Sequence, residues 1–328
     1  MEKAFVFSDL HVHQYRQFNE DGRRLKNGIA FLDYIFKLAN ANSIRILLMP
    51  GDLFNNMQIM ATKAVNAVAT SLQHSFAIYP EITLIAISGN HDDAEVNLID
   101  KPAESALEYL ATVFPRFVLL DKCDQTFITE GGNIIWGAQY YEHSEHFRMR
   151  MEEIIHKFEA RKGKSFLLMH QSVASGLPID DDIEPTDPLF DRFHMIFNGH
   201  IHDNQLVTDK FVNVGSPMHR DGGDVGKTKG FWVVDLDDPL DTISFVDITN
   251  RYPTFIHKFV GEELTEDEAK QYVIRVQNPT LENIKNKEVT EKFNTSLAPA
   301  KIMENYCSEV LPKDDSEKYL KYGISLLK

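Results

Sequence analysis

Cysteine is nearly absent from this chain: two occur in 328 residues, Cys123 and Cys307. That excludes a disulfide scaffold or a thiolate metal site, and it suits a reducing compartment. Long apolar runs are missing too. None approaches the ~18–20 residues that a membrane helix requires. Met1–Asp9 passes into polar residues without the apolar stretch of a secretion signal. The expectation is a soluble, cytoplasmic protein with no membrane partner. Positive charge is also scarce, since 34 Lys and Arg face 49 Asp and Glu, for a net charge of −15. The deficit is uneven: residues 251–328 hold 12 basic and 13 acidic side chains, so the first 250 carry nearly all of it. The chain as a whole therefore lacks the basic footprint usual for nucleic-acid binding. An acidic chain equally suits a site that collects divalent cations. Repeats and low-complexity segments are absent, and a 43% apolar content excludes disorder and collagen-like structure.

What is present is enough apolar sequence for one large domain or two. Strand-length apolar runs occur at 4–7, 44–49, 82–87, 117–120, 134–136, 166–169, 195–197, 211–214, 231–234 and 243–246. Between the early ones lie helical periods. Leu25, Ile29, Leu32, Ile35, Phe36 and Ala39 form one stripe, and similar stretches cover about 58–75, 102–113 and 144–161. The order β-α-β-α-β followed by closely spaced strands predicts an α/β fold of two packed mixed sheets flanked by helices. A boundary is expected near Asn250-Arg251-Tyr252-Pro253, separating residues 1–250 from a small domain at 251–328. The small domain should open with paired strands at 254–260 and 272–276 and close with helical segments near 299–310 and 315–327. The last of these is amphipathic, suited to packing on its own domain or to docking on a partner.

Five polar clusters stand where strands end: Asp9-Leu10-His11, Gly51-Asp52, Gly89-Asn90-His91-Asp92, Met169-His170-Gln171 and Gly199-His200-Ile201-His202. Strand ends are where α/β folds place their sites. In extended chain, residues i and i+2 point the same way, so Asp9 with His11, and His200 with His202, should each converge on one point. The first three clusters are spaced for strand–helix–strand crossovers, which bring the strand ends to one sheet edge. Asp, His and Asn offer oxygen and imidazole nitrogen, a donor set for Mn, Fe, Zn or Mg. Asp9, His11, Asp52, Asn90, His170, His200 and His202 make seven ligands, too many for one ion and suited to two. Asp52, with an oxygen for each ion, is the expected bridge. Glycines 51, 89 and 199 fit turns that need positive φ or close backbone approach. His13 and His219 are candidates to line the site. His74, His143, His146 and His156 fall on polar helical faces.

In this order the clusters resemble those of the calcineurin-like binuclear metallophosphoesterases, over about residues 4–248. A finer resemblance, to SbcD-type DNA nucleases including phage recombination-endonuclease subunits, rests on three passages. They are Gly51-Asp52-Leu53-Phe54, Leu168-Met169-His170-Gln171, and Gly199 to His202 followed by Val214-Gly215-Ser216-Pro217 and Gly230-Phe231-Trp232. The resemblance implies a metallophosphoesterase layered β-sandwich with a small C-terminal capping and partner-docking domain. It assigns one metal to Asp9, His11, Asp52 and His202, and the other to Asp52, Asn90, His170 and His200. His91 is then the catalytic residue that binds no metal, a general acid for the leaving alkoxide, with Asp92 orienting either the turn or the imidazole. The implied activity is Mn-dependent 3′→5′ exonuclease and single-strand endonuclease action on DNA in repair or recombination. The implied partners are an SbcC-type ATPase and a second copy of the chain, the dimer contact lying on helices at about 58–75 and 102–113. Where that family usually carries His after Gly-Asp-Leu-Phe, this chain has Asn55, which leaves the metal ligands intact and bears on the exonuclease–endonuclease balance. The alternative is a stand-alone phosphodiesterase or phosphatase for small nucleotides or phosphoesters, which the acidic surface suits better.

Overall fold

The computed structural model describes residues 1–14, 22–55, 61–95, 98, 103–121, 125–157, 163–173 and 183–276. The elements run β1 (Lys3–Val6), α1 (Arg23–Ala41), β2 (Ile46–Pro50), α2 (Thr62–Ile78), β3 (Thr83–Ile87), α3 (Ala106–Val113), β4 (Phe117–Leu119), β5 (Thr126–Ile128), β6 (Ile134–Ala138), α4 (Ser144–Lys157), β7 (Ser165–His170), β8 (Met195–Gly199), β9 (Gln205–Leu206), β10 (Phe211–Asn213), β11 (Gly230–Asp235), α5 (Pro239–Thr242), β12 (Ser244–Asp247), β13 (Phe255–Phe259) and β14 (Tyr272–Val276). The apolar runs and the strand pair at 254–260 and 272–276 read from the sequence account for every described strand except the short β5, partly exposed, and β9, exposed. The predicted C-terminal helices at 299–310 and 315–327 lie outside the described residues, as do Cys123 and Cys307.

Two six-stranded mixed sheets form, ordered β12-β11-β1-β2-β3-β4 and β5-β6-β7-β8-β10-β9. β1, β2, β3 and β4 are parallel, as are β6, β7, β8 and β10, with antiparallel strands at the margins. Buried on both faces, these strands are continuous apolar runs whose alternate residues divide between two cores. Val6, Leu48, Ile85 and Ile87 face Ile135, Phe166, Leu168 and Phe197 between the sheets. Their neighbours Phe5, Leu47, Met49 and Leu84 turn outward to Phe31, Leu32, Ile35 and Phe36 of α1 and Val68 and Leu72 of α2. On the second sheet Trp136, Leu167, Met169 and Ile196 face Phe147, Met151 and Ile154 of α4. The layers are helix, sheet, sheet, helix: the expected α/β architecture of two mixed sheets flanked by helices.

β13 and β14 make a separate two-stranded sheet. The chain divides into two compact units, Met1–Ile256 with Leu264–Ile274, and His257–Glu263 with Arg275–Lys328. Among the described residues no helix is long and apolar enough to cross a membrane.

Candidate metal centre

The parallel strands carry the polar clusters to their C-terminal ends. Asp9 and His11 follow β1, Asp52 follows β2, Asn90, His91 and Asp92 follow β3, His170 closes β7, and His200 and His202 follow β8. All seven predicted ligands and His91 thus gather at one edge of the packed sheets.

They arrive there through a backbone different from the extended one that i, i+2 spacing suggests. Five non-glycine residues among those described have left-handed φ, and four are predicted ligands: Asp9 (52°), His11 (46°), Asp52 (55°) and His200 (69°). Left-handed backbone costs an L-residue about 1–2 kcal/mol, and such strain persists where the surroundings enforce it. Here the loops after β1 and β2 pair with each other beyond the strands: Asp9 N–H donates to Gly51 O at 3.2 Å, His11 N–H to Asp52 O at 3.0 Å and Val12 N–H to Leu53 O at 2.8 Å. Two glycines are sterically required. Gly51 has φ 93°, and a Cβ there would meet His170 Nδ1 and the Gly89 backbone; a Cβ on Gly89 would fall on the Asp52 carboxylate and the His170 ring.

Two buried carboxylates form the centre. Asp52 Oδ2 is 3.2 Å from His11 Nε2 and 3.4 Å from His170 Nε2. Its Oδ1 accepts the His91 N–H at 2.9 Å. Asp52 therefore turns one oxygen, Oδ2, to imidazoles on both sides and the other, Oδ1, to the His91 main chain. Asp9 Oδ1 lies 3.6 Å from His11 Nε2 and 3.5 Å from His202 Nε2, and accepts the His200 N–H at 3.1 Å. Asn90 Oδ1 stands 3.1 Å from both His170 Nε2 and His200 Nδ1. His200 and His202 thus face different neighbours, Asn90 and Asp9, rather than one point.

The outer hydrogen bonds aim the rings. His170 Nδ1–H donates to Pro50 O at 2.8 Å, turning Nε2 to the centre. Ser172 Oγ engages His200 Nε2 at 3.1 Å, which leaves Nδ1 for the Asn90 side. Fixing the far nitrogen in this way sets the tautomer of metal-binding histidines. Tyr140 stacks on His200 with ring centroids 5.5 Å apart. Asp92, buried, accepts N–H groups from Phe54 (2.8 Å), Gly89 (3.1 Å) and Leu53 (3.3 Å). It clamps the turns after β2 and β3 together; of its two expected roles the structure displays the ordering of the turn.

His13 accepts from Arg24 Nε at 3.1 Å. Both His219 nitrogens are engaged by backbone, the N–H of Phe255 and the carbonyl of Lys227. His74, His143 and His156 are exposed and His146 is half-buried. Arg220, unremarked in the sequence, places its guanidinium against the His202 ring, 3.1 Å from Nδ1 and closer to Nε2. No spacing or pattern signals it: it is a lone arginine in a glycine-rich loop.

Charge and burial fit divalent cations. Burial pushes the Asp9 and Asp52 carboxyls up, but the surrounding imidazoles overcome it and hold both below the ordinary carboxylate range. Burial lowers His11, His200 and His202 to about 4, so they present neutral, lone-pair-bearing rings. His170 is the exception: burial lowers it, but the Asp52 charge prevails and raises it to about 9. Among the described residues, Asp9 Oδ2, His11 Nδ1 and His91 Nδ1 are buried without a hydrogen-bond partner. Each such orphan costs about 1–3 kcal/mol, and cations remove the penalty for an oxygen and imidazole donor set. Three groups bring ligand atoms within 4.8 Å of one another: Asp9–His11–His202, Asp9–Asp52–His170 and His11–Asp52–His91.

Residues 3–204 match the family described as calcineurin-like phosphoesterase. No curated protein matches the chain. Among solved structures it is similar to TT1561 of Thermus thermophilus (TM-score 0.47, 11% identity, 75% of this chain and 98% of that one). It is similar also to a dimetal phosphatase from Danio rerio (0.45, 9%, 72% and 92%) and to the calcineurin-like phosphoesterase YfkN from Bacillus subtilis (0.40, 13%, 75% and 88%).

Proposed function

Because this chain belongs to the calcineurin-like phosphoesterase family, we propose that it is a metal-dependent phosphodiesterase acting on small nucleotides or related phosphoesters. Asp9, His11, Asp52 and His202 would hold one cation, and Asp52, Asn90, His170 and His200 the other. The observation that carries the reading is Asp52 Oδ2, buried between His11 and His170 at 3.2 and 3.4 Å. When bound, the cations supply positive charge for the phosphoryl oxygens and lower the pKa of water at the site. The remaining work falls to the chain. Asp92 fixes the turn that carries Asn90 and His91. The N–H of His91 is tied to Asp52 Oδ1, and its ring stands edge-on to His11 with centroids 4.9 Å apart. From there His91 gives a proton to the leaving alkoxide oxygen, a general-acid step worth about 10²–10⁴-fold. Small substrates suit a chain of net charge −15.

The three SbcD-like passages support a second reading: a Mn-dependent exonuclease and endonuclease on DNA, paired with an SbcC-type ATPase and acting as a dimer, its C-terminal domain capping the site and docking the ATPase. A panel with manganese separates the two: an aryl phosphodiester, a cyclic nucleotide, linear duplex and circular single-stranded DNA. Turnover of the small esters alone is expected. Cleavage of DNA with no small-ester turnover favours the nuclease. No hydrolysis of any member, with metal bound, overturns the enzymatic reading. Light scattering at micromolar concentration tests the dimer.

A further inference from the structure

The guanidinium of Arg220 sits at the rim of the centre with its backbone held on both sides. Its N–H donates to Asp224 Oδ2 at 2.7 Å, and its carbonyl accepts from Arg24 at 2.7 Å. One terminal nitrogen donates to Asn55 Oδ1 at 3.1 Å, and the other lies on the His202 ring. Behind it the ammonium of Lys229, buried, donates to His202 O at 2.7 Å and is neutralised by Asp224 at 2.7 Å.

This placement conflicts with a cation pair alone. A guanidinium has five donors, no acceptor, and keeps its charge at any ordinary pH, so it is no metal ligand. Among the ligands only Asp9 and Asp52 are anionic. Two divalent cations against two carboxylates leave an excess of positive charge, and Arg220 increases it. Such an arrangement is electrostatically stable when an anion lies between the cations and the guanidinium. The planar fork of arginine matches phosphate oxygens.

We propose that Arg220 is a substrate-binding residue that holds a non-bridging oxygen of the phosphoryl group, with Asn55 as its positioning residue. The inference rests on the phosphoesterase reading and adds to it the group that recognises the anion. It also gives a role to Asn55, where the resembling nucleases usually carry His: its amide oxygen is an acceptor that steers the guanidinium without adding charge.

The test uses full-length manganese-loaded wild type, Arg220→Ala, Arg220→Lys and Asn55→Ala. Three quantities are measured: bound manganese by mass spectrometry, the affinity for inorganic phosphate by calorimetry, and kcat and KM on the aryl diester. Arg220→Ala is expected to keep the wild-type manganese content, bind phosphate about 10–100-fold more weakly and lose about 100-fold in kcat/KM. Arg220→Lys should recover part of the phosphate affinity through its charge. Asn55→Ala should raise KM several-fold with a smaller change in kcat. Unchanged phosphate affinity in Arg220→Ala overturns the proposal. So does loss of manganese in Arg220→Ala and Arg220→Lys alike, which makes the arginine a support for His202. Wild type that takes up manganese but binds no phosphate and turns over no ester fails at the enzymatic reading itself, a result distinct from failure of the Arg220 variants alone.

Discussion

At His91 the main chain and the side chain face different partners. The N–H is fixed on Asp52 Oδ1, while the ring lies beside His11 with a buried, unpartnered Nδ1. Replacing His91 with Ala leaves all seven assigned ligands in place. The expected result is unchanged metal content with turnover reduced by about 10²–10⁴-fold; metal analysis beside steady-state kinetics checks it, and loss of one ion would make His91 a ligand. Asp52→Asn should behave oppositely. It removes the charge shared by His11 and His170, so both ions should be lost together, as seen by titration with manganese. Residue chemistry was the most legible layer of the sequence, because few constraints other than ligation explain Asp, His and Asn recurring at strand ends. Arg220 and Ser172 were illegible for the converse reason: each is one polar residue in a loop, and only folding reveals which ring it touches.

Elements set the precision of the site. The parallel strands β1, β2 and β3 were readable from apolar runs because burial on both faces leaves each a nearly unbroken hydrophobic segment. The turns beyond them were not. Spacing suggested extended chain at Asp9-x-His11, whereas the backbone is left-handed at both residues, held by the loop after β2. That pairing joins segments more than forty residues apart in sequence, which no local pattern encodes. The turns should tolerate little change. Gly89→Ala places a methyl group against the Asp52 carboxylate and the His170 ring, so metal affinity should fall about 10–100-fold, the loss typical of disturbing the groups that orient ligands. The fold should survive, as judged by circular dichroism. The layer between the sheets answers to packing instead. Phe166→Ala, at a fully buried position there, should cost about 3–5 kcal/mol of stability in chemical denaturation without altering the ligand set.

For the whole molecule, protons and cations compete for the same centre. In metal-free protein His170, Asp92 and Asp93 retain protons above about pH 6.5 that the unfolded chain releases. Burial, opposed but outweighed by the Asp52 charge, leaves His170 at about 9; burial and the Asp52 charge lift Asp92 to about 8; burial and the Asp121 charge lift Asp93 to about 9. Their folded-state values lie above the unfolded ones, so the native state binds more protons than the unfolded chain from about pH 6.5 to 9. Stability must fall as pH rises through that window. Thermal unfolding of metal-free protein should show this decline, and Asp93→Asn should make it shallower. Manganese weakens the decline without reversing it, because Asp92 and Asp93 keep their protons. Uptake displaces the His170 proton, so affinity strengthens with pH, and metal at a hundredfold excess over its Kd adds about 2.7 kcal/mol per site. Melting temperatures that drop with pH in chelator and drop less steeply in manganese are the expected pattern.

Asp52, between His11 and His170, would be the ligand shared by two cations. Anomalous diffraction from manganese-soaked crystals tests this most directly: two peaks, each within coordination distance of Asp52, are expected, and a single peak, or none, contradicts it.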